Sequence, residues 1–285
     1  VSCDAMQVYR EVPIASSQPS RTITEKVPHH LVGIISVEKS FDVAAYNRAA
    51  TAAIREILGR GKTPIVTGGS GLYMQVLLDG IFTAPSRDDD IRRQLIEHLQ
   101  KEGAEVLYEE LCQIDPEAAR KIHPHDEKRL VRALEVCRVV GGRFSEVKKK
   151  RTGLWGQIPI VLYGLNCERE KLYDRINARV DEMIEQGLID EIKALKTKKL
   201  SLTARSILGI QEIGGYLAGE YDLTRARYLL KLHTRHYAKR QLTWFRREKR
   251  IEWLSMDDED SAEDVAEKIK IDLAQRDELM RKGQA

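Results

Sequence analysis

The chain has 285 residues, 42% of them hydrophobic and 32% charged, which suits one large domain or a core with a smaller insertion. Its 47 Lys and Arg nearly balance 44 Asp and Glu, leaving a net charge of +3, so any affinity for a polyanion must come from local segregation and not from bulk charge. No run of 18 apolar residues and no signal peptide is read in the chain, so no membrane span is expected, and since none of the four cysteines stands in Cys-x-x-Cys spacing neither a disulfide framework nor a zinc site is suggested. A soluble protein of a reducing cytoplasm is expected. The charge is segregated: from Arg225 to Arg250 ten Lys and Arg meet one acid, Glu248, and from Asp257 to Glu267 seven acids meet no base.

The N-terminal part alternates strand and helix. Strands are predicted at residues 1–3, 31–36 and 65–66, with helices over 42–60 and 72–79. Such alternation indicates a mostly parallel sheet with helices packed on it. At Pro85 the character changes. Ser86 and Asp89 read as a capping box, with Ile91, Leu95 and Leu99 as the stripe behind it. Asp115-Pro116 opens a second helix and Asp126 a third, which Gly141-Gly142 close. Residues 85–157 therefore read as an all-helical insertion between core segments 1–84 and 158–285. A strand returns over 158–165, followed by helices over 168–195, 207–217 and 224–247, a strand over 251–254 and a polar C-terminal helix.

Residues 62–73 read Lys-Thr-Pro-Ile-Val-Thr-Gly-Gly-Ser-Gly-Leu-Tyr, a short apolar strand running through glycines into a helix. Glycines admit close backbone approach, and a helix N-terminus presents unpaired N–H donors to an anion such as a phosphate; a tight strand-to-helix connection has the same look. Asp4 follows the first strand, where α/β sheets bind ligands; it suits a general base, a metal ligand or a turn cap. Arg175 and Arg179 share one helix face and match phosphate oxygens, unless they pair with Asp174, Asp181 or Glu182. Arg227, Lys231, Arg235 and Lys239 recur every four residues, with Arg240, Arg246 and Arg247 beyond and Trp244 and Phe245 nearby. A one-sign stripe of this regularity fits a nucleic-acid backbone or an ordinary solvated face. Arg129, Arg132, Arg138 and residues 148–151 place a second basic surface on the insertion. The seven histidines lack acidic partners at metal-ligand spacing.

Taken in order, these segments make the chain resemble the tRNA dimethylallyltransferases, or tRNA isopentenyltransferases, of bacterial type. The resemblance rests on Ser2-Cys-Asp-Ala-Met-Gln-Val-Tyr-Arg10, Val27-Pro-His-His-Leu31, Gly68-Gly-Ser-Gly-Leu-Tyr73, His123-Pro-His-Asp126, Arg175-Ile-Asn-Ala-Arg-Val-Asp-Glu-Met183, residues 209–217, and Thr234-Arg-His-Tyr-Ala-Lys-Arg-Gln-Leu-Thr-Trp-Phe-Arg246. It implies a P-loop-NTPase-like α/β core with a helical insertion, and transfer of a dimethylallyl group from dimethylallyl diphosphate to the exocyclic amine of the adenine just 3′ of a tRNA anticodon. It implies Asp4 and Ser70 as catalytic residues and Gly68, Gly69, Gly71, Arg175 and Arg179 as the diphosphate site. It also implies an anticodon stem-loop contact through Met6, Gln7, Arg10, Arg129, Arg132, Arg205, Gln211, Lys231, Arg235, Lys239 and Arg240, in a monomer. Magnesium is expected on the diphosphate, held with a Gly-rich phosphate loop of the Gly-x-x-x-x-Gly-Lys-Ser/Thr kind that would precede Val1.

The sequence departs from the family at several points. Ser70 stands where threonine is usual, Gln18 where lysine is usual and Ile210 where tyrosine is common, and no C-terminal zinc finger of the eukaryotic kind follows. Two rivals remain open at this level: a prenyltransferase or kinase acting on free adenine nucleotides, and a non-catalytic RNA-binding relative.

Overall fold

The computed structural model describes residues 1–81, 88–149, 151–256 and 261–282. Contacts divide it into two compact units, one of residues 1–42, 52–71 and 159–285 and one of residues 43–51 and 72–158. The helical unit thus takes in residues 43–51 and 72–84 besides the segment read as an insertion.

In chain order the first elements are helices α1 (Arg21–Lys26), α2 (Val43–Gly59) and α3 (Gly71–Asp79). The three predicted N-terminal strands shrink to isolated parallel bridges, Ser2 with Thr67 and Tyr9 with Ile35. Around Ser2, Thr67 N–H donates to Val1 O at 3.1 Å and Cys3 N–H to Thr67 O at 2.6 Å, the slanted parallel pattern over one repeat only. Ile65, predicted within a strand, is 70% exposed.

The helical unit holds α4 (Asp89–Glu102), α5 (Ala104–Ile114), α6 (Pro116–Ala119), α7 (Glu127–Val140) and α8 (Phe144–Lys149) around a core of Leu95, Leu107, Leu111, Leu130 and Leu134. The cap of α4 is Asp88, whose carboxylate accepts from the N–H groups of Asp90 and Ile91; Ser86, read as the cap from sequence, lies outside the described residues. Asp115 and Asp126 cap α6 and α7, and Gly141 closes α7 in the left-handed conformation. Asp115 is buried and also accepts from Ser145 N–H at 2.7 Å and Ser145 Oγ at 2.8 Å, tying α8 to the start of α6. Burial opposes its ionisation, but the bonds from Ser145 and Ala118 prevail and hold its pKa below the ordinary value.

In the other unit, β1 (Leu162–Asn166) pairs in parallel with β2 (Ile251–Ser255), from Leu162 with Ile251 to Asn166 with Ser255. Between them lie α9 (Arg169–Glu185), α10 (Leu188–Ala194), α11 (Ile210–Ala218) and α12 (Leu223–Phe245); α13 (Ala262–Lys282) comes last. The single helix expected over 168–195 is two, because Gly187, at φ +103°, breaks it. Val180, Leu188, Ile192, Ile213, Ala226 and Leu230 from α9 to α12 pack with Val8, Tyr9, Val12 and Val37 into one core. That core holds the N-terminal loop against the helices that carry the basic residues.

Candidate active site at the glycine turn

The N-terminal loop and the 68–71 turn are stitched along one seam. Ser70 N–H donates to Cys3 O at 3.1 Å, and Ala5 N–H donates to Ser70 Oγ at 2.9 Å, so the backbone on both sides of Asp4 is bonded to Ser70. Asp4 Oδ1 accepts from Met6 N–H at 2.7 Å and Gln7 N–H at 3.4 Å, which fixes the carboxylate in an Asx turn and leaves Oδ2 with no bond among the described residues. Burial raises the Asp4 pKa above the ordinary carboxylate value, against the pull of those two N–H bonds. A half-buried carboxylate with one oxygen anchored and the other open is suited to accept a proton.

The glycines are set by close approach. A Cβ on Gly68, at φ +153°, would lie 2.3 Å from the carbonyl carbon and oxygen of Cys3. A Cβ on Gly69 would lie 2.0 Å from Gln241 Nε2, and one on Gly71 2.2 Å from the Trp244 ring. Gln241 Nε2 donates to Gly69 O at 2.9 Å. Gly71, the last residue of this turn, is also the first residue of α3.

Tyr237, one turn before Gln241 on α12, completes this face. Burial pushes its phenol pKa up and the charge of Asp4 adds to the shift, while hydrogen bonding from Gln241 and Ser70 opposes it. Tyr237, Gln241 and Trp244 recur at spacings of four and three, the period of one helix face, but sequence reasoning assigned none of them to the site.

The basic stripe on α12 splits. Lys231 Nζ lies 2.6 Å from Asp181 Oδ2 and Arg227 Nε 3.6 Å from Asp181 Oδ1, both on α9. Arg235 donates to Asn177 Oδ1 at 3.0 Å and lies over the Tyr173 ring at 5.8 Å. Lys231 and Arg235 therefore fasten α12 to α9. Lys239 and Arg240 are exposed and, among the described residues, carry no ion pair; Arg240 lies 5.7 Å from the Tyr237 ring centroid. With Thr243, Trp244 and Arg247 they line a shallow recess of about 220 Å³.

Arg175 and Arg179 on α9 are also exposed and without an ion pair among the described residues, for Asp181 serves α12 and Glu182 accepts from Gln186. The cross-helix contacts run antiparallel, Arg227 and Lys231 to Asp181, then Arg235 to Asn177 and Tyr173. The end of α9 that bears Arg175 thus lies beside the end of α12 that reaches Ser70.

Other sequence candidates take varied places. The Gln7 side chain is held by Ser2 Oγ and Ser17 O, beside the half-buried Met6, while Arg10 is exposed and donates to Ile34 O at 3.2 Å. Gln18 Nε2 donates to Tyr9 O at 2.7 Å, an uncharged brace for the same loop. Arg205, in a 3₁₀ turn, and Gln211, at the start of α11, are exposed. In the helical unit Arg132 joins Arg92 on the buried carboxylate of Glu135, both at 2.9 Å, and Arg129 pairs with Asp126 at 3.3 Å. Of the run at 148–151, Lys149 pairs with Glu117 and Arg151 lies 3.9 Å from Asp79; Lys150 lies outside the described residues.

No three His, Cys, Asp or Glu side chains among the described residues gather as a metal site. At the seam Ser70 Oγ and Asp4 Oδ1 are occupied by backbone N–H donors. These residues do not build a magnesium cage of their own. Among the described residues no helix is long and apolar enough to cross a membrane.

A family model described as IPP transferase matches residues 7–248. The tRNA dimethylallyltransferase 2 of Geotalea uraniireducens is 43% identical over 256 residues, 89% of this chain and 83% of that protein. The tRNA dimethylallyltransferase of Natranaerobius thermophilus is 38% identical over 282 residues, 98% and 84%. The crystal structure of the full-length tRNA isopentenylpyrophosphate transferase from Bacillus halodurans superposes with a TM-score of 0.69 at 35% identity, over 100% of this chain and 90% of that one. A eukaryotic dimethylallyltransferase acting on tRNA superposes with a TM-score of 0.78 at 26% identity, over 96% and 72%.

Proposed function

Since the chain belongs to the IPP transferase family, with its α/β core and P-loop-like fold, we propose that it prenylates tRNA. It transfers a dimethylallyl group from dimethylallyl diphosphate to the exocyclic amine of the adenine 3′-adjacent to the anticodon. A C–N bond forms between that amine and the allylic carbon, and the C–O bond to the diphosphate breaks. The amine gives up a proton, which Asp4 Oδ2 accepts. The bonds from Met6 and Gln7 keep the carboxylate aimed, and the backbone bonded to Ser70 keeps it beside the glycine turn.

The departing diphosphate gathers negative charge, which fixed donors stabilise. The glycine turn of Gly68, Gly69 and Gly71 and the guanidinium groups of Arg175 and Arg179 are assigned to it, with Ser70 beside them. Magnesium is expected to accompany the diphosphate, where it would offset the charge on the phosphate oxygens. The adenine must leave its stack to reach Asp4, so the rest of the RNA has to be held by its backbone and loop. Lys239 and Arg240, with Arg205 and Gln211, are assigned to the anticodon stem-loop, and Arg129 and Arg10 add exposed charge. Lys231 and Arg235 serve α12 by fastening it to α9, and Arg132 fixes helices within the helical unit.

The observation that carries this reading is the seam that joins an open, pKa-raised carboxylate to a glycine turn at a helix N-terminus. The test is incubation with dimethylallyl diphosphate and an anticodon stem-loop, followed by mass analysis of the nucleosides. A single adenosine, 3′ of the anticodon, should gain one dimethylallyl group. Modification of free adenine nucleotides at a comparable rate would overturn the tRNA assignment, and stem-loop binding with no product would leave a binding protein.

A further inference from the structure

The peptide unit between Gly69 and Ser70 is pinned at both ends. Its carbonyl accepts from Gln241 Nε2 at 2.9 Å, and its N–H donates to Cys3 O at 3.1 Å. A peptide unit is planar, so two anchors on opposite sides fix its rotation and thereby the direction in which the backbone leaves it. The backbone leaves it into Gly71 and the first turn of α3. Trp244 closes on Gly71 so tightly that no Cβ fits between them, and Gln241 does the same at Gly69. One anchor comes from the N-terminal loop and the other from α12, 172 residues away in sequence.

We propose that Gln241 is a positioning residue for the diphosphate site: with Tyr237 and Trp244 on the same edge of α12, it sets the 68–71 turn so that its hydroxyl and N–H donors are arranged for the anion before it binds. Gln241 itself need not touch the ligand. Its amide holds the Gly69 carbonyl back from the site, while Tyr237 sits against the Ser70 side chain and Trp244 fills the space that a side chain at residue 71 would take. Preorganised donors cost no rearrangement when charge develops. The inference rests on the assignment of the turn to the diphosphate.

Gln241→Glu tests it, since the shape is kept and the N–H donor becomes an acceptor facing a carbonyl. In the intact protein, inorganic diphosphate titrated by calorimetry should bind about tenfold more weakly, the loss expected when a part-buried hydrogen bond is replaced by an unsatisfied carbonyl. KM for dimethylallyl diphosphate should rise in step, while stem-loop affinity and the far-UV circular dichroism stay as in the wild type. Protonation restores a donor to the glutamate, so the ratio of variant to wild-type diphosphate affinity should recover as pH falls through the carboxyl range. A merely structural defect would not titrate in this way. Tyr237→Phe, which keeps the ring and removes the hydroxyl, should lower turnover with stem-loop affinity unchanged, and serves if Gln241→Glu does not fold. A folded Gln241→Glu protein that binds diphosphate as the wild type does overturns the proposal, as does one whose only loss is in RNA binding. If the wild-type protein binds neither inorganic nor dimethylallyl diphosphate, the functional reading itself falls.

Discussion

Replacing Gly68 with alanine puts a methyl group where the structure has no room for one. The added Cβ would sit 2.3 Å from the Cys3 carbonyl carbon and oxygen and 2.9 Å from Cys3 Cα, all backbone atoms that cannot swing aside as a side chain can. The turn must separate from the N-terminal loop, and the bonds it strains are Ser70 N–H to Cys3 O at 3.1 Å, Cys3 N–H to Thr67 O at 2.6 Å and Ala5 N–H to Ser70 Oγ at 2.9 Å. With about 1 kcal/mol for each of two bonds lost and about 1–3 kcal/mol for a backbone region that only glycine tolerates, the cost is about 3–5 kcal/mol. That is a large share of the ~5–15 kcal/mol that holds an ordinary domain folded. Urea denaturation of Gly68→Ala against wild type measures it. Gly61→Ala is the control: residue 61 has φ +66° but open space around it, so it should cost only the left-handed penalty of ~1–2 kcal/mol. If the two variants are equally stable, steric closure of the seam is refuted as the reason for Gly68.

Asp4→Asn keeps the Asx-turn acceptor and removes the base, so turnover should fall ~100-fold or more with stem-loop binding retained; near-normal turnover sinks the assignment. Because burial raises the Asp4 pKa, the ionised base is lost as pH falls through that raised value, and the wild-type rate should fall with it. A carboxyl whose pKa is higher folded than unfolded loses stability as pH rises from 3.8 through the folded value, so Asp4→Asn should be at least as stable as wild type at neutral pH, measured by thermal melting. Arg179→Lys keeps charge but loses the planar fork, and should weaken diphosphate binding without changing stem-loop affinity; the reverse result moves this arginine to the RNA surface. Changing both Lys239 and Arg240 to alanine should lower stem-loop affinity alike for every sequence and flatten the log-affinity against log-salt slope by about 1.5–2 units, and an unchanged slope would return them to a solvated face.

Where local chemistry decides an element, the sequence announces it. Asp115-Pro116 and Asp126 open helices because a carboxylate satisfies the first N–H groups, and Gly141 ends one because it takes the left-handed conformation. Gly187 carries the same signal inside a longer periodic run, and the run concealed it. Helix α1 has no buried residue and no side-chain cap bond, so neither periodicity nor capping marks it. The N-terminal strands failed as predictions because β-propensity and short apolar runs do not specify how many ladder bonds form. At the candidate site the glycines are legible as a turn and Asp4 as the residue just past the first chain pairing, which is a single bridge, whereas Gln241 is not legible. Its partner is the backbone carbonyl of Gly69, and a main-chain acceptor leaves no trace in the identity of the residue that carries it.

The basic stripe shows why spacing alone cannot assign a charge. Arg227, Lys231, Arg235 and Lys239 are equivalent in period, and the difference among them lies on α9, which offers Asp181 and Asn177 to the first three and, among the described residues, no ion pair to the fourth. A lysine held 2.6 Å from a carboxylate has much of its field already neutralised, and recruiting it to a phosphate would leave that carboxylate with only Arg227, at 3.6 Å, to offset its repulsion from the same polyanion. Lys239 and Arg240 carry no such constraint. They lie on the turn of α12 between Tyr237 and Gln241, the residues that reach Ser70 and Gly69. One helix therefore fastens itself to α9 by its first half, and by its second half both holds the glycine turn and offers exposed cations to solvent. Under the proposed function, an RNA backbone that engages those cations would land on the segment that holds the glycine turn, and one helix would then support both substrates.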